Sequence, residues 1–415
     1  MTQQTCRTQT CRHCATPLAH RFLDLGFAPP SNAYLAPEAL NLPEVTYPLR
    51  LMVCGACFLV QTEDFAAREV FFEADYAYFS STSRSWLDHA ARYADMVTDR
   101  LALGADSLVI EVASNDGYLL RNFVAAGIPC LGIEPTVATA EAAEAQNIPV
   151  IRDFFGLSLA ARLAAEGRRA DLVAGNNVYA HVPDINDFTQ GLAAILKPQG
   201  VVTLEFPHLM RLIEFCQFDT VYHEHFSYLS LTTVDGIFAA AGLRLFDVEE
   251  VPTHGGSLRV FGCLPGAAHS TAPSVAALLA EERARGMTDL SHYAAFQPRA
   301  DAIKDAFLRF LLDTRRDGKS VAAYGAAAKG NTLLNYAGVR PDLLPFVCDA
   351  APSKQGKLMP GSHIPILPPE ALRAQRPDYV VILPWNIADE VRTQLADLAA
   401  LGTRFVVAVP ELTVA

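Results

Sequence analysis

Apolar and polar positions alternate along this chain in two periods. From Leu108 to Val112 the residues are almost all apolar, and the run breaks at Ser114-Asn115-Asp116-Gly117 before an apolar helical start at Tyr118. A continuous apolar run closed by a glycine turn and followed by helical spacing predicts a strand covered on both faces. The pattern repeats, predicting strands near 129–133, 150–151, 172–174 and 201–206 with helices between them, and a turn at 197–200. A helix over 232–241 precedes two more strands at 243–248 and 257–263. Five strand–helix units closed by a two-strand ribbon predict a seven-stranded sheet, whereas a dinucleotide Rossmann domain gives six parallel strands. Residues 270–318 read as helices with one charged face, a connector. A second α/β unit then opens at Ser320, with further strands near 344–348, 379–383 and 405–409.

Ahead of this core the pattern is set by cysteine. Cys11 and Cys14, and Cys54 and Cys57, form two C-x-x-C pairs. Each pair sets two thiolates on one side of a tight turn, and together they complete a tetrahedral Zn2+ site with no open position, hence structural. Cys6 and His13 are expected to be non-ligands. Nine cysteines and no leading apolar segment argue against a disulfide framework and for a cytoplasmic location. Residues 73–84 are dense in Tyr and Ser and precede a helix predicted from Trp86 to Leu103. They read either as an N-cap and linker or as a lid crossing the cofactor site with Tyr76 or Tyr78 reaching in.

The totals narrow the partners. A net charge of -12 disfavours a nucleic acid polymer, though not one nucleotide held by a local basic site. No apolar run is long enough to span a bilayer, so no membrane partner is expected.

The candidate chemistry starts at the first turn. It runs Glu111-x-x-x-x-Asp116-Gly117, and the second unit's turn runs Gly325-Ala-Ala-Ala-Lys-Gly330; neither is G-x-G-x-x-G. A pyrophosphate needs glycine backbone against it and is repelled by acids. S-adenosylmethionine carries a sulfonium cation and no phosphate, and it suits an acidic turn. Glu111, Ser114, Asn115, Asp116 and Gly117 are therefore expected to bind it. Glu134, followed by Pro135, closes the next strand at the reach of the ribose hydroxyls. Asp153 and Phe154 are expected at the adenine, and Asn176 and Asn177 at the methionyl part.

With these residues assembled, the chain resembles a known family, the sugar C-methyltransferases acting on nucleotide-linked ketosugars. The resemblance rests on the cysteine quartet and on residues 111–120, 175–181, 222–226, 254–259 and 324–331, in one order over nearly the whole chain. It implies an α/β fold in three parts. These are a small zinc-binding domain (1–75), a class I, Rossmann-like, seven-stranded methyltransferase domain (76–265), and a helical connector plus C-terminal Rossmann-like α/β domain (266–415). It looks closest to C-3 methyltransferases of antibiotic deoxysugar pathways, whose substrates are thymidine-diphosphate 4-keto sugars, some carrying a 3-amino group.

Methylation at C-3 of such a sugar needs a base for the proton alpha to the ketone and donors for the enolate. Tyr222-His223-Glu224-His225 follows the fifth strand, where open α/β sheets place their sites. His225 is the expected base and Tyr222 a relay or a donor to the ketone. Glu224 is expected to orient an imidazole or meet a sugar amine, and His181 to donate to the enolate oxygen. Tyr222 and His225 share a face in a helix, His223 and His225 in a strand, and both remain open here. Lys329 and Asn331, at a helix start, suit the diphosphate. Thr253, His254, Ser257 and Arg259 are expected to line the seam, and the chain to act as a monomer. Two other readings stand beside this one: a nucleotide-sugar oxidoreductase, which lacks its glycine motif, and an N- or O-methyltransferase, which needs no enolate-forming base.

Overall fold

The computed structural model describes residues 9–63, 79–82 and 84–415, and their strands gather in three sheets. The first begins with β1 (His20–Ala28), β2 (Tyr47–Val53) and β3 (Val60–Thr62), all antiparallel. Period-two alternation in β2 turns Leu49, Leu51 and Val53 inward.

The second sheet takes β4 (Val109–Val112), β5 (Cys130–Ile133), β6 (Val150–Ile151), β7 (Ala170–Asn176) and β8 (Leu196–Pro207). These five are parallel, and β4 is buried along its whole length, as its unbroken apolar run requires. The strand β8 starts earlier than predicted, because Leu196 already pairs with Ala170 across a register shift that absorbs the expected turn. Next, β9 (Ser227–Tyr228) leaves this sheet and pairs with β3 of the first. The ribbon β10 (Arg244–Val251) and β11 (Ser257–Cys263) returns antiparallel, giving the order β10-β11-β8-β7-β4-β5-β6. This is the seven-stranded class I methyltransferase sheet expected from the pattern.

The third sheet holds β12 (Val321–Tyr324), β13 (Val347–Cys348), β14 (Ile366–Leu367), β15 (Tyr379–Ile382), β16 (Arg404–Val407) and β17 (Thr413–Val414). Its order is β14-β13-β12-β15-β16-β17, parallel except for the last pair. Strand order reverses between β4 and β7 in one sheet and between β12 and β15 in the other, and ligand crevices open at such points.

The three parts interleave. Helices over Pro273–Ala284, Leu290–Ala294 and Phe296–Arg316 form the connector. Phe22 of β1 stacks on Phe296 at 4.6 Å and meets the edge of Tyr293. Glu282, fully buried, accepts from the amides of Leu231 and Thr232 and pairs with His208 at 2.7 Å. The connector therefore caps a helix of the second part while packing on the sheet of the first.

Candidate active site

The turn after β4 is built from left-handed residues. Ala113, Asn115 and Gly117 have φ of 56°, 49° and 78°. At Gly117 an added Cβ would overlap the buried Ile148 side chain. Gly117→Ala is therefore expected to cost about 1–3 kcal/mol of stability and to weaken cofactor binding. Thermal unfolding and calorimetric titration check this, and wild-type values in both would refute it.

Burial holds the Glu111 carboxyl well above its ordinary pKa; the Tyr118 hydroxyl opposes the rise, and the Glu134 and Asp116 charges add to it. A cation bound here would restore its ionisation. Glu134 accepts from the Asn115 amide on one oxygen and the Thr136 amide on the other, both at 2.9 Å. Each oxygen keeps a lone pair, enough for two ribose hydroxyls. Asn176 ends β7 with both amide atoms buried and unpartnered, as is Ser114 Oγ. Buried amides in native proteins are hydrogen-bonded, so this one fits a polar ligand. These residues suit S-adenosylmethionine: acids for its cation and ribose, an amide for its amino-acid tail. Pro135 fixes the exit from β5, and Asp153 and Phe154 lie exposed just past β6.

Asn115 and Asp116 also serve the fold. Their side chains accept from the Ser80 and Ser81 amides at 2.9 and 3.1 Å, so they hold the segment before the helix Arg84–Leu101 down on the turn. Tyr76 and Tyr78 lie outside the described residues.

Residues 222–225 form a turn, neither helix nor strand, with the His225 amide donating to the Tyr222 carbonyl at 3.2 Å. Tyr222 and His225 share its inner side, their ring centres 4.8 Å apart. His223 turns the other way and meets the Tyr47 carbonyl of β2 at 3.3 Å. His181 joins from the loop after β7: its ring stands perpendicular to that of His225 at 4.5 Å, and its Nδ1 donates to the Glu224 carbonyl. The ring nitrogens of His225 have no hydrogen-bond partner among the described residues. Burial, then the nearby His181, His254 and Lys329, push the His225 pKa well below its ordinary value, so the imidazole is neutral. Burial likewise lowers His181 to about 4 and raises Glu224 to about 7 against the opposing bonds from Asn32.

The third sheet closes the site from above. Lys329 donates to Asn386 at 2.8 Å and lies 4.3 Å over the Trp385 ring. Trp385 donates to Asp219 at 2.7 Å, with Gly255 packed so tightly beneath it that no side chain would fit. Burial lowers Lys329 to about 8 and raises Asp219 to about 6, each group opposing the other's shift. Asn331 instead donates to the Ser31 carbonyl, tying this unit to the first.

The expected seam residues divide. His254, itself left-handed at φ 54°, meets the Asn177 amide at 3.2 Å and lies near Lys329. Thr253, Ser257 and Arg259 are engaged within the fold. Thr253 and Arg259 bond to the buried Glu205 at 3.0 and 2.9 Å, Arg259 also reaches Glu249, and Ser257 donates to the Thr253 carbonyl. His89 meets the same Glu205 at 3.0 Å and stacks on Trp86, which also faces His254. Trp86 and His89 are three apart on a predicted helix, a spacing that signals a shared face. Asp219 and Trp385 carried no local signal.

The four cysteine sulfurs all lie within 4.8 Å of one another, with neighbouring pairs at 3.5–3.6 Å. Tetrahedral Zn–S bonds of about 2.3 Å imply spacings of about 3.8 Å, so the quartet fits Zn2+. Both knuckles turn alike: left-handed Ala15 and Phe58 donate back to Cys11 and Cys54. His13 bonds to Asn186, so it is no ligand.

Comparison with known proteins agrees with this layout. Family models match residues 11–72, described as a zinc binding domain, 86–248, a methyltransferase domain, and 252–410, a C-methyltransferase C-terminal domain. The C-methyltransferase NovU of Streptomyces niveus is 34% identical over 401 residues, 97% of this chain and 95% of that protein. Two solved structures overlap less than half of the chain. A Burkholderia thailandensis 1,6-didemethyltoxoflavin-N1-methyltransferase shares 16% identity over 49% of this chain and 94% of its own, with a TM-score of 0.37. An S-adenosylmethionine-dependent methyltransferase of Clostridium acetobutylicum shares 10% over 43% and 92%, with a TM-score of 0.34. The chain belongs to the S-adenosylmethionine-dependent C-methyltransferase family in which a zinc-binding domain, a methyltransferase domain and a C-methyltransferase C-terminal domain follow one another.

Proposed function

We propose that the protein methylates C-3 of a thymidine-diphosphate-linked 4-keto deoxysugar, with or without a 3-amino group, in the cytoplasm. The carrying observation is the pairing of a neutral His225, its ring nitrogens free of hydrogen bonds among the described residues, with Tyr222 and His181, within electrostatic reach of Lys329 on the helix after β12. A ring nitrogen of His225 takes the C-3 proton; the C–H pair becomes the double bond between C-3 and C-4 while the carbonyl π pair moves to the ketone oxygen, giving an enolate. A base of low pKa leaves much of the barrier to enolate stabilisation. Tyr222, whose pKa burial raises far above 10, stays protonated and donates to that oxygen. The cofactor, when bound, supplies an electrophilic methyl on a cationic sulfur. Glu224 orients the turn through Asn32 and offers a carboxyl to a sugar amine. Lys329 and the loops after β12 and β15 receive the diphosphate.

The base also argues for carbon as acceptor, since an amine or hydroxyl needs no enolate. Incubation of the enzyme with S-adenosylhomocysteine and a thymidine-diphosphate 4-keto sugar in deuterium oxide tests the reading. Deuterium is expected at C-3, and methyl at C-3 once S-adenosylmethionine is supplied. Methyl on nitrogen or oxygen without C-3 exchange would overturn it.

A further inference from the structure

The first zinc knuckle reaches the two loops that carry the facing imidazoles. Arg12 lies inside it, between Cys11 and Cys14. Its Nη1 donates to the carbonyl of Pro183 at 3.0 Å, two residues past His181. Its Nη2 donates to the carbonyl of Thr62, the end of β3, at 2.9 Å. Its guanidinium carbon sits 5.3 Å from the ring centre of Phe226, the residue after His225. Thr62 returns its own amide to the Phe226 carbonyl at 3.2 Å, and β3 pairs with β9 just beyond. Gln61 completes the joint, accepting from the Arg12 amide and donating to Cys11 Sγ. Beside it, the Asn186 amide donates to the carbonyls of Arg12 and His13.

We propose that Arg12 is a positioning residue for methyl transfer, setting the separation of His181 and His225 by holding Pro183 and the Thr62–Phe226 joint in one guanidinium fork. The inference rests on the reading of His225 as base. A planar guanidinium presents its donors at fixed spacing, so two acceptors on different segments are held at one distance; a lysine ammonium is a single point that cannot span both. Across the site, one bond joins the same loops directly, from His181 to the Glu224 carbonyl. The groups facing His225 are Tyr222, Tyr228, His181, His254 and Lys329. Letting His181 move away relieves one source of repulsion on a protonated His225.

The test uses full-length, zinc-loaded Arg12→Ala and Arg12→Lys, with metal content measured, and a thymidine-diphosphate 4-keto sugar that the wild type turns over. In Arg12→Ala, kcat is expected to fall on the order of 10- to 100-fold, the loss typical of a misplacement of about 1 Å, with KM little changed. Histidine-labelled NMR titration is expected to move the His225 pKa up toward its ordinary value, and Arg12→Lys to fall between. Wild-type kcat and an unmoved His225 titration in zinc-loaded Arg12→Ala would overturn the inference. If Arg12→Ala fails to fold, Asn186→Ala loosens the same joint from the side of the His181 loop while leaving Arg12 and all four cysteines in the chain, and wild-type behaviour there in zinc-loaded protein overturns it equally. A parallel His225→Asn separates the two claims: turnover in that variant sinks the base, while a dead variant beside a normal Arg12→Ala sinks only the positioning role.

Discussion

His225→Asn is expected to lower kcat for methyl transfer by about 10²- to 10⁴-fold, the usual contribution of a positioned base, with cofactor affinity unchanged. The fold has little to lose. The ring takes part in no hydrogen bond among the described residues; it packs edge-on against His181 and Tyr222 and at a tilt against Tyr228. Glu111 lies in β4 and Glu134 directly follows β5, both remote in sequence and untouched by the change. Single-turnover kinetics read the first quantity and calorimetry the second. The pH profile adds a sign. The active form is the neutral imidazole, and its folded pKa lies below the ordinary 6.5. Activity is then lost only as pH falls through that depressed value and is flat with respect to His225 above 6.5. Wild-type-like turnover in the variant, or an acid limb centred above 6.5 in the wild type, would remove His225 from the role.

Cys54→Ser is expected to abolish zinc binding and to unravel the first sheet. The Cys54 sulfur is fully buried, 3.5 Å from Cys14, and receives the Ala56 amide. Structural Zn2+ contributes about 10–16 kcal/mol in isolated zinc-finger peptides, more than so small a domain gains from its core. The damage should not stay local, because β9 completes this sheet and follows the Tyr222–His225 turn directly. Hydrogen exchange is expected to show lost protection in β1, β2 and β3 together with residues 222–228, while β4, β5 and β7 keep theirs. Since the parts can unfold separately, one melting temperature is the wrong measure. Zinc-free protein with full protection in β1–β3 would show that the metal is dispensable to the fold.

Much of the cofactor side was legible in the chain. A strand buried on both faces must be an unbroken apolar run, so Val109–Val112 and its glycine turn could be read locally. The acids at Glu111 and Glu134 sit at strand ends, where period and turn chemistry place them without knowledge of any partner. The two C-x-x-C pairs are equally local, since each knuckle closes within five residues. The acceptor side was legible only as a cluster of types. Whether Tyr222 or His223 stands beside His225 depends on the turn at 222–225, and that turn forms because β9 crosses to the zinc sheet. Arg259 read as a ligand for substrate, yet it is spent on Glu205 and Glu249, one of them more than fifty residues away.

Local pattern was enough for the two α/β sheets, the acidic turn after Glu111 and a closed thiolate site, because each follows from periodicity or from donors a few residues apart; the antiparallel sheet of the cysteine domain was not foreseen. Folding in three dimensions settles which imidazole faces which, that Asp219 holds Trp385 and Asn386 holds Lys329, and that Arg12 ties a cysteine knuckle to the loops of His181 and His225. Those contacts join residues far apart in the chain, His181 with His225 across more than forty positions and Asp219 with Trp385 or Arg12 with Pro183 across more than a hundred and sixty. Local pattern cannot encode them, because they exist only once β9 and the connector have brought the three sheets together.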